Sequence, residues 1–348
     1  MNFSKSILAW YKISKRDLPW RNTRNPYLIW LSEVILQQTR VEQGLPYYLR
    51  FVKAFPTVKK LAAAKEEQVL KLWQGLGYYS RARNLHHAAK EIVKKHKGKF
   101  PSTYDDIRAL KGVGDYTAAA IASFAYDLPY ATVDGNVYRL LSRYLGIMTP
   151  INSSKAKKEF AEAAQELMGD SPPHDFNQAM MEFGSKQCKP LNPDCENCPL
   201  QSSCIAFEKK WVKKLPVKNK NQKIRSRYFH YLHIEQDGFT WIKKRTEKDI
   251  WKNLYEFPML ENRRKMKTAA LYADSRFSEM LPPEYTILKG SLDFKHQLSH
   301  QTIHATFHRI GLKSKSKLRL EGAKKIKNKE ISRLPVHRLV EKYLQSST

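Results

Sequence analysis

Up to about residue 210, apolar side chains recur at spacings of three and four, the repeat of helices that each bury one stripe. Phe3, Ile7, Leu8 and Tyr11 share such a stripe and predict an amphipathic helix at the start. Further helices are expected over residues 26–40, where Pro26 suits a first turn, over 58–74 and 81–97, and over Asn136–Leu145 and Ser154–Leu167. Gly and Pro collect between these segments as breakers, and alternating runs are scarce. The stretch KKLPVKNKNQKIRSR, residues 213–227, then loses the pattern; it is polar and basic with no face to bury. Beyond it Tyr228–Ile234 alternates like a strand, Asp237-Gly238 reads as a hairpin turn, and Thr240–Lys243 reads as the return strand. Extended character recurs near 285–311. The pattern therefore predicts an all-α domain over 1–214, a basic linker over 215–227 and an α+β domain over 228–348.

Length agrees with this division, since 348 residues exceed what one core usually organises. Charge adds a partner. Lys and Arg outnumber Asp and Glu by 62 to 33, a net +29. The excess is spread over both parts, 36 against 20 in residues 1–224 and 26 against 13 in 225–348. A long polyanion, and nucleic acid first, is the partner that such a surface suits. No apolar run approaches the roughly 20 residues of a membrane span. The N-terminus has too short an apolar core for a signal peptide and no small-residue cleavage site. A cytoplasmic protein is expected, nucleoid-associated if bacterial, with no membrane partner.

The chain's four cysteines, Cys188, Cys195, Cys198 and Cys204, fall together as C-x6-C-x2-C-x5-C. Short-range disulfides would need an oxidising compartment that nothing else suggests. Four clustered thiolates suit a tetrahedral metal site or an iron–sulfur cluster, and spacing alone does not choose between them.

Three further stretches carry possible chemistry. In LKGVGDYTAAA, residues 110–120, Gly112, Val113 and Gly114 form a tight turn into a new helix, whose exposed N–H groups can bind a phosphate. An ordinary helix–helix turn would need only one glycine. In VDGNVYR, residues 133–139, Asp134 is placed to cap a helix, a role that Asp commonly fills. In SEVILQQT, residues 32–39, Glu33 has Ile29, Trp30 and Leu36 one turn away. Such a setting raises a carboxyl pKa by desolvation, although a half-exposed, salt-bridged Glu is the plain alternative.

Taken in order, Trp20-Arg21, SEVILQQTR, LWQGLGYYSRARNL, LKGVGDYTAAA, VDGNVYR, FNQAMMEFG and the four cysteines closely resemble the MutY family of adenine DNA glycosylases. The resemblance runs from about residue 7 into the C-terminal part. It implies an all-α helix-hairpin-helix glycosylase domain, with the hairpin at about 105–125 and an iron–sulfur loop over 188–204, followed by an α+β Nudix-like domain. It also implies a [4Fe–4S] cluster on Cys188, Cys195, Cys198 and Cys204. The implied partner is double-stranded DNA holding adenine opposite 8-oxoguanine or guanine, bound by a monomer. The base would be flipped from the stack and its N-glycosidic bond hydrolysed. On this resemblance Glu33 is the acid that protonates adenine, and Asp134 stabilises the sugar cation, with one carboxyl pKa raised and the other low. Tyr116 and Asn136 organise the two acids. Trp20, Arg21, Leu36 and Gln178 surround the flipped base. Gln38 and Tyr78 wedge into the duplex, with Leu76 and Thr39 near 8-oxoguanine and Tyr79 in the core.

Endonuclease III-like glycosylase/lyases are the near rival. They carry a nucleophilic Lys where this chain has Tyr116, so a monofunctional enzyme is expected. A catalytically silent DNA-binding protein is a third reading, opposed by the presence of both Glu33 and Asp134. In the C-terminal part DIWKNLYEFP, residues 249–258, resembles a Nudix-like domain, but residues 259–285 lack the acidic metal-binding run, so nucleotide hydrolysis is not expected. The family's Phe-Ser-His loop, which reads 8-oxoguanine, matches Leu298-Ser299-His300, with Leu in place of Phe. His296, His300, His304 and His308 recur every fourth residue and are expected on one wet, DNA-facing strand surface, too far apart for one metal ion.

Overall fold

Helix α1 (Phe3–Ser14) starts where the Asn2 side chain accepts from the Lys5 N–H, and it buries Phe3, Ile7 and Tyr11 on the expected stripe. The computed structural model describes residues 2–219, 224–288 and 290–346. By its internal contacts the chain divides into two compact units, Met1–Ala63 with Asn84–Lys220, and Ala64–Arg83 with Asn221–Thr348. The sequence places 64–83 in the helical domain; the contacts place it in the other unit.

After α1 come α2 (Pro26–Leu36), α3 (Val41–Ala54) and α4 (Val58–Ala63). Helix α2 ends four residues before the expected 40, because Gln37 leaves helical geometry and Gln38 turns left-handed at φ 54°. The expected helix over 58–74 is two helices. Ala64-Lys65 interrupts it, and α5 (Glu66–Trp73) starts afresh with the Lys65 N–H held by the Gln68 side chain. Then follow α6 (Ser80–Lys95), α7 (Tyr104–Ala109), α8 (Asp115–Tyr126), α9 (Gly135–Tyr144), α10 (Ser154–Met168), α11 (Pro173–Lys186) and α12 (Ile205–Glu208). In the first unit α1, α9, α10 and α11 close on one core built of Ile7, Leu141, Phe160, Phe176, Met180 and Phe183. Helices α2 and α8 bury Ile29, Trp30 and Ile35 with Ala118, Ile121 and Phe124. Each buried Ile, Leu, Met or Phe among these contributes about 1.5–3 kcal/mol by leaving water.

The second unit is built on a mixed sheet. Strand β1 (Arg225–Gln236) turns through Asp237 (φ 51°) and Gly238 (φ 78°) into β2 (Phe239–Lys244), the hairpin expected from Asp-Gly. Short strands β3 (Tyr255–Glu256) and β4 (Met259–Asn262), helices α13 (Thr268–Tyr272) and α14 (Ser275–Glu279), and β5 (Thr286–Ile287) lead to β6 (Leu292–Gln297) and β7 (Gln301–Gly311), and β8 (Ala323–Lys327) and α15 (Arg338–Ser346) follow. The sheet order is β3-β2-β1-β7-β5, with β4 beside β1, β6 beside β7 and β8 beside β2. Strands β1 and β7 run parallel at its centre, from Arg225 opposite Gln301 to Glu235 opposite Gly311. Tyr231 on β1 and Tyr343 on α15 stack on Phe307 of β7, and Phe257 meets Phe307 edge-on. The expected linker over 215–227 is shortened, since β1 begins at Arg225; residues 220–223 lie outside the described residues.

The four evenly spaced histidines do not share a strand face. His296 lies on β6, exposed His300 in the β6–β7 turn, and His304 and His308 on β7. His308 is buried, hydrogen-bonded to His230 at 3.2 Å and to the Tyr272 hydroxyl at 3.1 Å. His233 is also buried, 2.7 Å from the Tyr343 hydroxyl. Burial pushes the pKa of His233 and of His308 down to about 4. Both are therefore neutral in the fold and would charge near pH 6.5 once unfolded. Their stabilising contribution is complete above pH 6.5 and is lost as pH falls toward 4. Hydrogen exchange should reveal this: between pH 7.5 and 5, protection of β1 and β7 amides, corrected for intrinsic rates, should drop roughly tenfold or more. Unchanged protection would contradict the assignment of these histidines as neutral.

Candidate active site

The first unit contains a cavity of about 870 Å³. Trp20, Arg21, Glu33, Leu36, Gln38, Thr39, Tyr116, Asp134, Asn136 and Gln178 all line it, as does Gly114. Residues far apart in sequence are brought to one wall by four helices. Glu33 comes from the middle of α2, Tyr116 from the first turn of α8, Asp134 and Asn136 from the start of α9, and Gln178 from α11.

Asp134 is the N-cap that the sequence suggests. Its Oδ1 accepts from the Asn136 and Val137 N–H groups at 2.9 and 2.8 Å, and its Oδ2 accepts from Asn136 Nδ2 at 2.8 Å. Arg139 donates to Asn136 Oδ1 at 2.9 Å and to the Gly184 carbonyl, tying the start of α9 to α11. Gly184 permits that approach, because a Cβ there would lie 2.7 Å from the Asn136 carbonyl oxygen. Arg139 also donates to the Cys188 carbonyl at 2.8 Å.

Glu33 is buried among apolar side chains, and its Oε2 accepts from the Tyr116 hydroxyl at 2.9 Å. Desolvation pushes its pKa up to about 7, against the lowering effect of the Tyr116 hydrogen bond. Asp134 departs from expectation. The helix start was to hold it low, but burial outweighs its three N–H donors and raises it above the usual Asp value.

A third carboxylate on this wall was missed by the sequence reading. Glu182 receives Nε and Nη2 of Arg16 at 2.8 and 2.7 Å and Nη2 of Arg21 at 2.7 Å. Burial alone would raise its pKa, yet the two guanidiniums bring it down to about 2. The available signal was spacing: Gln178 and Glu182 are one turn apart on α11, and Arg21 bonds both, reaching Gln178 Oε1 at 3.0 Å.

The hairpin joins α7 to α8. Gly112 adopts φ 82°, and a Cβ there would strike the Asn84 side chain at 2.6 Å. Val113 closes the turn through its N–H to the Leu110 carbonyl. Gly114 is the N-cap of α8 and supplies no side chain, which leaves the first N–H groups of that helix to other acceptors.

The remaining expected residues lie elsewhere. Leu76 is buried and Tyr78 is exposed, both in the segment that belongs to the second unit. Ser299 and His300 are exposed at the β6–β7 turn, with Ser299 Oγ 3.0 Å from His300 Nδ1. Leu298 is half-buried and bonds Gln301 through its N–H.

Cys188, Cys195, Cys198 and Cys204 line one small cavity of about 30 Å³. Burial raises the thiol pKa of Cys195 and Cys204 and pushes that of Cys198 up to about 11, with the neighbouring thiols adding to each. Arg143 donates to Cys188 Sγ at 3.5 Å and to the Lys189 carbonyl at 2.7 Å. Among the described residues no three His, Cys, Asp or Glu side chains are grouped as for a single bound metal ion. Four converging thiols beside a guanidinium fit a group that draws them into the anionic form.

Similarity to known proteins extends over both parts of the chain, and the match to the helical family includes the segment 64–83 that the contacts place in the second unit. Residues 31–167 match the HhH-GPD superfamily base excision DNA repair protein family, and residues 230–346 match the NUDIX domain. Adenine DNA glycosylase of Buchnera aphidicola subsp. Acyrthosiphon pisum (strain APS) is 36% identical over 350 residues, covering 99% of this chain and 97% of that protein. Adenine DNA glycosylase of Homo sapiens is 42% identical over 216 residues, 60% of this chain and 40% of that one. Among solved structures, a thermostable thymine-DNA glycosylase aligns with a TM-score of 0.56 at 30% identity, covering 60% of this chain and 95% of that one. An endonuclease III trapped as a covalent intermediate on DNA shares the fold, with a TM-score of 0.51 at 24% identity over 60% of this chain and 94% of that one. No described helix is long and apolar enough to cross a membrane.

The Glu33–Tyr116 pair yields a direct test. In a carboxyl-carbon NMR titration, with Glu33→Gln identifying the signal, Glu33 should titrate near pH 7. Tyr116→Phe should move the midpoint higher, because it removes the donor that favours the ionised form. A midpoint near the ordinary 4.5 would refute the desolvated setting.

Proposed function

The chain belongs to the family of adenine DNA glycosylases, and from that premise we propose that it hydrolyses the N-glycosidic bond of adenine opposite 8-oxoguanine or guanine in duplex DNA. It is a base-excision DNA glycosylase with DNA as substrate. The observation that carries the finer reading is the pairing of Glu33 and Asp134 in one cavity, the first protonated near neutral pH and the second oriented by three N–H donors.

Glycosidic cleavage of adenine needs a proton on the leaving base and a counter-charge for the sugar. Glu33 supplies the proton to the flipped adenine and turns from neutral to anionic as the bond breaks, with Tyr116 already donating to the oxygen that gains charge. Asp134 faces the oxocarbenium-like sugar as a carboxylate. Its Oδ1 is occupied by two backbone donors and its Oδ2 by one, so Oδ2 keeps a lone pair for the sugar or for a transient covalent bond to it. Trp20, Leu36, Arg21 and Gln178 frame the base, with Arg21 and Gln178 fixed to each other. Thr39 and Gln38 lie at the cavity rim. Tyr116 offers no amine, so no Schiff base forms at that position and the strand is left intact.

Tyr78 supports a wedge role: it is 48% exposed and sits in a left-handed turn at φ 47°, a conformation costly for a bulky residue unless function retains it. Leu76, buried two residues before it, would lie near the 8-oxoguanine side of the wedge. Ser299 and His300 present polar groups at a hairpin tip, suited to a lesion base. The Gly112–Gly114 hairpin would hold a backbone phosphate. The protein would act as a monomer. Cys188, Cys195, Cys198 and Cys204 would hold a [4Fe–4S] cluster, which when bound supplies cross-linking of the 188–204 loop rather than bond cleavage. Purified protein should carry iron and sulfide in equal amounts, and Cys198→Ser should lose both.

Single-turnover assays on a duplex holding adenine opposite 8-oxoguanine test the reading. Strand scission should require added alkali, and the rate should fall as pH rises through about 7, where Glu33 loses its proton. Glu33→Gln should bind the duplex yet excise about 10²–10⁴ times more slowly. Scission without alkali would instead indicate a lyase, and a fully active Glu33→Gln would remove Glu33 as the acid.

A further inference from the structure

The residues around Tyr78 are held from two sides by the rest of the second unit. On one side, the turn at 251–253 presents polar groups to both ends of the segment. Asn253 Nδ2 donates to Glu66 at 2.5 Å, the Tyr255 hydroxyl and Lys244 donate to Glu67 at 2.6 and 3.1 Å, and Arg83 donates to the Lys252 carbonyl at 2.9 Å. That turn is itself strained, with Trp251 and Asn253 left-handed at φ 58° and 67°. A network of ion pairs, Arg227 to Asp249 and Glu261 and Arg245 to Asp249 and Glu256, holds it in place.

On the other side, the chain leading into α15 receives the end of α5. Lys71 Nζ donates to the Leu334 carbonyl at 3.0 Å, Gln74 Nε2 to Glu341 at 3.3 Å, and the Val336 N–H to Gln74 Oε1 at 3.4 Å. The Tyr79 hydroxyl reaches the Val336 carbonyl at 3.4 Å. Between these anchors Gly75, Gly77 and Tyr78 are all left-handed, and the Trp73 indole N–H spans the turn to the Gly77 carbonyl at 3.0 Å.

We propose that the Nudix-like unit is the positioning device of the wedge, and that Lys71, Gln74 and Glu341 hold the turn of Tyr78 in the form that enters the duplex. This rests on the reading of the chain as an adenine glycosylase that flips its base. Fixing a turn of three left-handed residues before DNA arrives removes an ordering cost from the flipping step. The positioning residues touch neither base nor sugar, so their loss weakens flipping and spares proton transfer.

The test uses the full chain and two duplexes, one with adenine opposite 8-oxoguanine and one with adenine opposite an abasic gap, where no pairing must be broken. The double variant Lys71→Met with Gln74→Ala should excise about tenfold more slowly from the first and within about twofold of normal from the second, as expected when three hydrogen bonds are lost and part of their contribution acts on flipping. With 2-aminopurine in place of adenine, its fluorescence rise on binding should shrink in the same variant. Glu341→Gln, which still accepts from Gln74, should behave as the wild type, and Glu341→Ala as the double variant. Unchanged flipping in the double variant overturns the proposal, as does an equal loss on both duplexes, which marks general damage. A wild-type protein inert on both duplexes would instead remove the glycosylase reading beneath it.

Discussion

A carboxyl that keeps its proton at neutral pH depends on dry surroundings, and the first unit is arranged around that requirement. Glu33 lies in the middle of α2, the helix whose apolar residues also fill the core with α8. Desolvation is the largest influence on it, and the donor held against it is a phenol, a group that orients without supplying a full charge. A cation in that place would strip the proton. Every neighbour of Glu33 is thus constrained by what it must not be.

Three of the cavity's four carboxyl groups are inside it, Glu42 being exposed, and they are in three different conditions. Glu33 faces a hydroxyl, Asp134 faces three amide donors, and Glu182 faces two guanidiniums. Burial pushes all three the same way, and partner charge decides the outcome. Glu182 also collects Arg21, which fixes that guanidinium at the wall with its geometry available to Gln178. Arg21 still lowers the Glu33 pKa, but desolvation outweighs it.

Local chemistry was legible in the sequence; long-range balance was not. Asp134 as a helix cap followed from Asp-Gly-Asn before an apolar run, and the Asp237-Gly238 hairpin from its turn residues. The elevation of Asp134 could not follow, because it comes from burial that only the folded unit creates. The even spacing of the four histidines suggested a single strand face, but a hairpin falls within the run and reverses the chain. Glu182 escaped notice because its partners, Arg16 and Arg21, lie more than 150 residues away. The same holds for Ala64–Arg83, which is helical as expected but broken at Ala64-Lys65, and whose allegiance is set by residues near 250 and 335.

That allegiance has a consequence for how the protein is made. The segment 64–83 leaves the ribosome well before the sheet that receives it, which begins at Arg225. At about 5–20 residues per second the delay is roughly ten to thirty seconds or more, during which Glu66, Glu67, Lys71 and Gln74 lack the partners near 250 and 335 that hold them in the finished fold. The nascent chain thus carries the Tyr78 turn without its anchors through most of its synthesis, and the turn takes its final form only when the last part of the glycosylase is made.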